Sequence, residues 1–296
     1  MSRQLKLGLP KGSLENATLE LFAQAGWSMS IGSRNYFPSI NDPDLYCALV
    51  RPQEMPLYIA DGTLDLGLTG YDWILERDCQ EKVEVISTLD YSKSSNQACR
   101  WVLVVANDSP IRSVHDLQGC KVATELENFT RSYLKQHGVA ADVFFSWGAT
   151  EAKVVEGLVD AAVEITETGS TIRAHGLRIV EELLVTSTRL IANPEACRDP
   201  WKKRKIDQIA LLLKAALDAR HKVVLKMNAP ASGLEGVLAI LPAITSPTIS
   251  ELATKGGERW VALETVVDRP LIRDLIPRLK EAGAVGILEY DLKKVI

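Results

Sequence analysis

Glu164, Glu167, Thr168, Gly169, Ser170 and Thr171 place acid, hydroxyl and glycine at a spacing suited to a phosphorylated ligand rich in hydroxyl groups. They follow a short apolar run, Val159, Ala161, Ala162, Val163 and Ile165, that predicts a buried strand, and they precede a helical pattern predicted to begin at Ile172. N–H groups at a helix start have no intrahelical partner, the helix dipole favours negative charge, and glycine lets a phosphate approach the main chain. Hydroxyls of Thr168, Ser170 and Thr171 add donors. Glu164 and Glu167 are ill suited to phosphate but accept hydrogen bonds from sugar hydroxyls or metal-bound water. Together these groups suit a sugar phosphate. They also suit a plain helix cap flanked by solvated glutamates.

A second anion site of the same grammar is Lys11, Gly12 and Ser13, with Ser13 expected to cap the helix that follows; the alternative is a capped surface helix with a solvated lysine. Gly67 and Gly70 flank Leu68 and Thr69 at a strand end, where glycine admits a ligand or merely punctuates a turn. Asp72 is expected to cap a short helix from Trp73 to Glu76, in preference to meeting a ligand.

Elements must hold these loops in place. Leu5, Leu7 and Leu9 alternate as a strand, and Leu14, Ala17, Thr18, Leu21, Phe22 and Ala25 recur at helical spacing as far as Gly26. A short helix after Arg51, a compact strand within 61–70, a strand over 83–89, a polar loop over 90–97 and an apolar strand over 101–106 follow. Residues 113–165 alternate helix and strand, which argues a parallel-rich α/β lobe ending near Leu183. Leu190-Ile-Ala192 is a further strand that returns to the first lobe. The basic run Trp201–Lys205 begins an amphipathic helix and is expected to be its solvated face. From 221 a β-α-β-β-α-β order, the ferredoxin-like arrangement, sets off a small domain with no evident catalytic cluster. The predicted organisation is thus 1–92, first part of lobe I; 93–183, lobe II; 184–220, return and linker helix; 221–296, a regulatory or assembly domain.

Composition narrows the classes. The 296 residues are 46% hydrophobic with a net charge of −4, enough for two or three cores and without general attraction to nucleic acid or an anionic membrane. No apolar run suits a membrane span, and the start of the chain suits a strand better than a signal peptide. Five scattered cysteines and four histidines argue against disulfide or zinc frameworks and for reduced thiols in the cytoplasm.

The motifs Leu9-Pro-Lys-Gly-Ser-Leu14, Asp65-Leu-Gly-Leu-Thr-Gly70, Cys99-Arg100, Val122-Ala-Thr-Glu125 and Glu164-Ile-Thr-Glu-Thr-Gly-Ser-Thr171 occur in the order seen in ATP phosphoribosyltransferases. With Ala174-His-Gly-Leu177, Leu190-Ile-Ala-Asn193 and the C-terminal domain, the chain resembles the long form of that family over essentially its whole length. The resemblance implies a two-lobed, periplasmic-binding-protein-like α/β catalytic region followed by a ferredoxin-like, ACT-like regulatory domain. It implies transfer of the phosphoribosyl group of 5-phosphoribosyl 1-diphosphate to N1 of ATP, the first step of histidine biosynthesis, with Mg²⁺ riding on the diphosphate. Thr168 to Thr171 would cradle the 5-phosphate and Glu164 with Glu167 would orient the ribose hydroxyls. Lys11, Gly12, Ser13, Arg51, Thr69, Gly70 and Arg100 would contact ATP, and no residue stands out as a general base. Inhibitory histidine would meet Asn228, Ser246, Thr248, Val266 and Gly286, and a dimer to hexamer equilibrium would accompany regulation.

Departures from the family pattern are Ser13 in place of Arg, Glu54 and Glu164 in place of Asp, and Leu126-Glu127 in place of an aromatic and proline. Asn228 stands where some relatives carry Asp, so histidine inhibition is expected to be weaker by on the order of 1 to 2 kcal/mol. Two rivals stay open at this point: a two-lobed ligand-binding protein, and a phosphoribosyltransferase with another acceptor base.

Overall fold

The computed structural model describes residues 3–32, 36–91, 99–242, 246–253 and 257–296. Most of the expected polar loop over 90–97, and the expected lobe boundary at 92/93, lie outside the described residues. The chain divides into two compact units, Met1–Ala23 with Trp27–Ala210, and Gln24–Gly26 with Leu211–Ile296.

The first unit begins β1 (Leu5–Pro10), α1 (Glu15–Ala25), the short ribbon β2 (Met29–Ser30) and β3 (Ser39–Ile40), β4 (Leu45–Val50), α2 (Met55–Ala60), β5 (Leu66–Gly70), α3 (Tyr71–Glu76) and β6 (Glu84–Leu89). It continues through β7 (Cys99–Ala106), β8 (Lys121–Thr124), α4 (Glu127–Gln136), β9 (Asp142–Phe145), α5 (Thr150–Val155), β10 (Ala161–Thr166), α6 (Ser170–Ala174) and β11 (Leu177–Thr186). It ends with β12 (Thr188–Ala192), α7 (Pro194–Arg198) and α8 (Pro200–Arg220), the last running on into the second unit.

Two five-stranded sheets result, in the orders β4-β1-β5-β12-β6 and β11-β7-β10-β8-β9. In lobe I, β4, β1 and β5 are parallel, and β12 is antiparallel to both β5 and β6. In lobe II, β10, β8 and β9 are parallel, while β7 runs antiparallel to β10 and β11. Strand alternation splits lobe II into two packed faces. Trp101, Leu103 and Val163 pack with Leu126 and Leu134 beside α4, and Val102, Val104 and Ala162 pack with Val154 of α5 and Ile172 of α6. Burial of each such aliphatic side chain contributes roughly 1.5–3 kcal/mol.

Three local expectations change. β11 extends past Leu183 to Thr186, and its register with β7 shifts between Ile179 and Glu181 and between Glu182 and Leu184; such bulges break the alternation by which a strand is recognised. The basic run is only partly a solvated face. Lys202 Nζ bonds the buried Asp65 carboxylate at 2.6 Å, and Lys205 Nζ lies 2.7 Å from Asp42, so two of its charges are anchored by acids of lobe I. α6 begins at Ser170, two residues before Ile172, because Gly169 already turns the chain.

The second unit folds as β13 (Lys222–Pro230), α9 (Leu234–Ile240), β14 (Thr248–Glu251), β15 (Trp260–Asp268), α10 (Ile272–Glu281) and β16 (Val285–Asp291). Its antiparallel sheet has the order β14-β15-β13-β16, the ferredoxin-like arrangement. Val223, Leu225 and Met227 face a core closed by Val237, Leu275 and Leu279. Among the described residues no helix is long and apolar enough to cross a membrane.

Candidate active site

The carboxyl ends of parallel strands are where an open α/β sheet leaves free main chain and room for a ligand. The loops after β1, β4 and β5 bring Lys11, Gly12, Ser13, Arg51, Gly70 and Asp72 to one wall of a cavity of about 530 Å³. Lobe II supplies the opposite wall through Cys99 and Trp101 of β7, Glu125 after β8, and Ile165 and Glu167 at the end of β10. Thr186, Ser187 and Thr188, at the return of the chain to lobe I, line its floor. Cations therefore come from lobe I and two carboxylates from lobe II.

In the Lys11 loop two main-chain donors are taken: Lys11 N–H bonds the Val50 carbonyl at 2.8 Å, and Gly12 N–H bonds the Glu15 carboxylate at 3.3 Å. Glu15, inside the helix, thus ties off the turn where Ser13 was expected to cap it. The lysine ammonium lies 3.8 Å from the Tyr36 ring centroid. The Arg51 guanidinium lies 5.2 Å from the ring of Trp147, a lobe II residue. Both cations also border a second, larger groove of about 1060 Å³ walled by Tyr36, Phe37, Tyr46 and Tyr58.

Thr69 does not line the cavity. It is fully buried, and its hydroxyl donates to the Pro52 carbonyl at 2.7 Å, fixing the turn that presents Arg51. Gly70 does line it, and a Cβ there would overlap the Asp72 carboxylate. Asp72 departs from its expected role as a cap: α3 starts at Tyr71, and Asp72 lies in its first turn at 2% exposure. Its carboxylate accepts from Trp101 Nε1–H at 2.8 Å and from the Thr186 hydroxyl at 2.9 Å. One turn on, Glu76 accepts the N–H groups of Asn128 and Phe129 at 3.1 and 2.9 Å, at the start of α4. Two carboxylates of one lobe I helix thereby fasten it to lobe II. Burial pushes the pKa of both upward against these hydrogen bonds.

The hydroxyl loop stands at the edge of the cavity. Gly169 has φ +72°, and its N–H donates to the Thr166 hydroxyl at 2.8 Å. The Thr168 hydroxyl donates to Ser170 Oγ at 3.0 Å, and Arg173 donates to the Thr168 carbonyl at 3.2 Å. Glu167 lines the cavity; Glu164, Thr168, Gly169, Ser170 and Thr171 do not. Glu164 shares the strand face of Ala162, beside α5, and burial, reinforced by the Glu151 charge, pushes its carboxyl up to about 7. Arg100 also lies outside the cavity lining and pairs with Glu182 at 3.1 Å.

Two lining groups escaped the sequence reading, Asp72 as the link between lobes and Glu125. Glu125 stands directly after a predicted strand whose carboxyl end faces the cleft, a placement that singles it out once strand direction is known.

In the second unit, Asn228 sits opposite Ala262 and Val285, and a Cβ on Gly286 would come within 3.9 Å of its amide nitrogen. Thr248 pairs with Glu264, and Val266 with Val224 further along the sheet, so within one chain Asn228 and Gly286 meet while Val266 lies apart. Ser246 precedes β14.

Comparison with known proteins places this architecture. The family model for ATP phosphoribosyltransferase matches residues 51–215, and that for HisG, C-terminal domain matches 219–294. An ATP phosphoribosyltransferase of Desulfatibacillum aliphaticivorans is 55% identical over 296 residues, with all of both chains covered. One of Nitratidesulfovibrio vulgaris is 56% identical over 295 residues, covering 100% of this chain and 99% of that one. The solved ATP phosphoribosyl transferase (HisG:HisZ) complex from Thermotoga maritima superposes with a TM-score of 0.62 at 26% identity, covering 73% of this chain and 99% of that one. XAC2383 from Xanthomonas citri, solved bound to ATP, shares the fold at 15% identity and a TM-score of 0.50, covering 73% and 84% of the two chains. With both family models placed in order and relatives above half identity along its full length, the chain belongs to the ATP phosphoribosyltransferase family, in its long form with a C-terminal domain.

Proposed function

We propose that the protein transfers the 5-phosphoribosyl group of phosphoribosyl diphosphate to N1 of ATP, releasing pyrophosphate in the first step of histidine biosynthesis. The observation that carries this reading is the cleft with Lys11 and Arg51 on one wall and Glu125 and Glu167 on the other, in a chain of this family. As the bond from C1 to the diphosphate lengthens, positive charge grows on the ribose and negative charge on the leaving group. Fixed charges of both signs, held without reorganisation, stabilise that separation. The loop from Thr168 to Thr171 holds the 5-phosphate, Glu167 bonds the ribose hydroxyls, and Lys11 and Arg51 meet the nucleotide phosphates.

Mg²⁺ suits this site as part of a substrate. Among the described residues no group of three or more His, Cys, Asp or Glu could hold a metal ion, and Mg²⁺ commonly binds through substrate phosphates with one or two carboxylates. Glu167 is the carboxylate at the phosphoribosyl side of the cavity. In this reading Mg²⁺ enters as a complex of the diphosphate.

The second unit binds histidine as feedback inhibitor near Asn228 and Gly286, and the protein works in the cytoplasm as a homo-oligomer passing between dimer and hexamer. The test is near-ultraviolet absorbance of the N1-substituted adenine product with ATP, phosphoribosyl diphosphate, Mg²⁺ and pyrophosphatase. A rise requiring both substrates and suppressed by histidine is expected. A flat trace from folded protein refutes the reading.

A further inference from the structure

We propose that Trp147 and Glu125 together form the recognition site for the acceptor purine, the indole as its stacking face and the carboxylate as acceptor for its exocyclic amine. This rests on the transfer reaction proposed above and assigns the part of the cleft that selects the base.

Three observations converge. Glu125 lines the cleft and is held by the Gly148 N–H, which donates to its carboxylate; a carboxylate has further lone pairs to offer a ligand. Trp147, the residue before Gly148, is 58% exposed, a large aromatic surface left to water beside the cleft. Its described ring contacts are Phe145, at 6.0 Å between centroids, and the guanidinium of Arg51, which itself lines the cleft.

The backbone fixes this pairing. Gly148 and Ala149 have φ of +68° and +50°, two successive left-handed residues, the second of them not glycine. An L residue adopts that conformation at a steric cost, and such strain persists where the surrounding structure imposes it. Here it turns the chain so that one loop presents an indole and, through its next N–H, orients a carboxylate.

The other lining carboxylates are committed. Asp72 is taken by Trp101 and Thr186, and Glu167 lies 4.0 Å from the Cys99 thiol at the phosphoribosyl end. Burial raises the Glu125 pKa, as expected of a carboxylate withdrawn from water ahead of a ligand donor.

The chemistry uses both groups. The N1 lone pair forms the bond to C1 of the ribosyl group, and the C1–O bond breaks with its electron pair leaving on pyrophosphate. The purine then carries a positive charge shared between N1 and the exocyclic nitrogen. A carboxylate accepting from that N–H meets the charge as it develops, with no proton transferred in the step. A 6-oxo purine would instead turn a carbonyl oxygen toward the carboxylate, opposing two acceptors. The indole that meets Arg51 accepts a purine equally well, while the nucleotide phosphates give Arg51 another partner.

The experiment compares ATP with purine riboside triphosphate, which lacks the amine, in equilibrium binding, and measures KM for both substrates in wild type, Glu125→Ala, Trp147→Ala and Trp147→Phe. Wild type should bind the amine-free nucleotide about tenfold more weakly than ATP, and Glu125→Ala should bind the two alike. Trp147→Ala should weaken both by about tenfold, with Trp147→Phe restoring most of the loss and KM for phosphoribosyl diphosphate within about twofold throughout. Discrimination that persists without Glu125, or ATP affinity unchanged in Trp147→Ala, overturns the assignment. The exposed Trp147 variants and the wild-type nucleotide comparison decide the matter even if Glu125→Ala fails to fold. Wild type that forms no product from ATP overturns the transfer reading as well, whereas an active wild type with unaltered variants overturns this assignment alone.

Discussion

Asp72 and Glu164 are both carboxylates drawn out of water in the catalytic unit, and their surroundings treat them in opposite ways. Asp72 is met by an indole N–H and a hydroxyl, one from the lobe II strand β7 and one from the end of β11. Glu164 is met by the Ile165 N–H and the Thr150 hydroxyl but also by the charge of Glu151, and burial pushes its carboxyl up to about 7. The contrast teaches that burial alone does not mark a working acid. A lobe I carboxylate whose side-chain donors come from lobe II fixes architecture, whereas one whose donors come from its own lobe and which faces a second acid keeps its proton to higher pH.

The sharpest way to break this comparison is at the loop beyond Glu164. Gly169→Val puts a branched side chain at φ +72°, with its Cβ 3.1 Å from both the Arg173 guanidinium and Ile179. Turnover should fall more than about a hundredfold while circular dichroism remains that of the wild type. Normal turnover would move the phosphoribosyl site elsewhere. On the other side of the comparison, Asp72→Ala strands two buried donors and should cost about 3 kcal/mol in urea unfolding. A loss under about 1 kcal/mol would mean the lobes are held by other contacts.

Glu164 makes a subtler prediction. Its folded pKa of about 7 lies above the ordinary 4.5, so the folded state keeps a proton that the unfolded chain releases. The stability this contributes is full below pH 4.5 and is lost as pH rises to about 7. Across that window wild type should lose on the order of 2 kcal/mol relative to Glu164→Gln, measured as the difference in unfolding free energy. Parallel pH curves would contradict it. The smallest effect is expected in the second unit, where Asn228 offers an amide in place of a carboxylate. Asn228→Asp should tighten histidine inhibition by on the order of 1 to 2 kcal/mol, and an unchanged inhibition curve would remove Asn228 from the inhibitor site.

Much of the fold was legible because its signals are local. The alternation of Leu5, Leu7 and Leu9, the apolar run of β7 and the restart at 221 each fit within a dozen residues, and each yields the observed element. The role of Asp72 was not legible, because its partners are 29 and 114 residues away. Nor was that of Lys202 and Lys205, whose anchoring acids lie in lobe I. β11 was not read as a strand, and its bulges scramble the two-residue period by which one is recognised. The hydroxyl loop suggests an anion site by its residue types alone, but the sequence does not say which way its acids point. One residue of register decides whether a strand side chain faces the cleft, and Glu164 and Ile165 fall on opposite sides of that line.

The sheet order of lobe I has a consequence for how the chain is made. β12 lies between β5 and β6, and among the described strands it is the only partner of β6. As the polypeptide leaves the ribosome, β6 emerges before its neighbour and must wait through the synthesis of all of lobe II. Lobe II, whose five strands are contiguous in sequence, can assemble during that interval, and only then can Thr188–Ala192 slot in and complete the earlier sheet. Of the two lobes, the one that starts first is therefore finished second, and a chain stalled shortly before Thr188 would present β5 and β6 as unpaired edges to any neighbour on the same message.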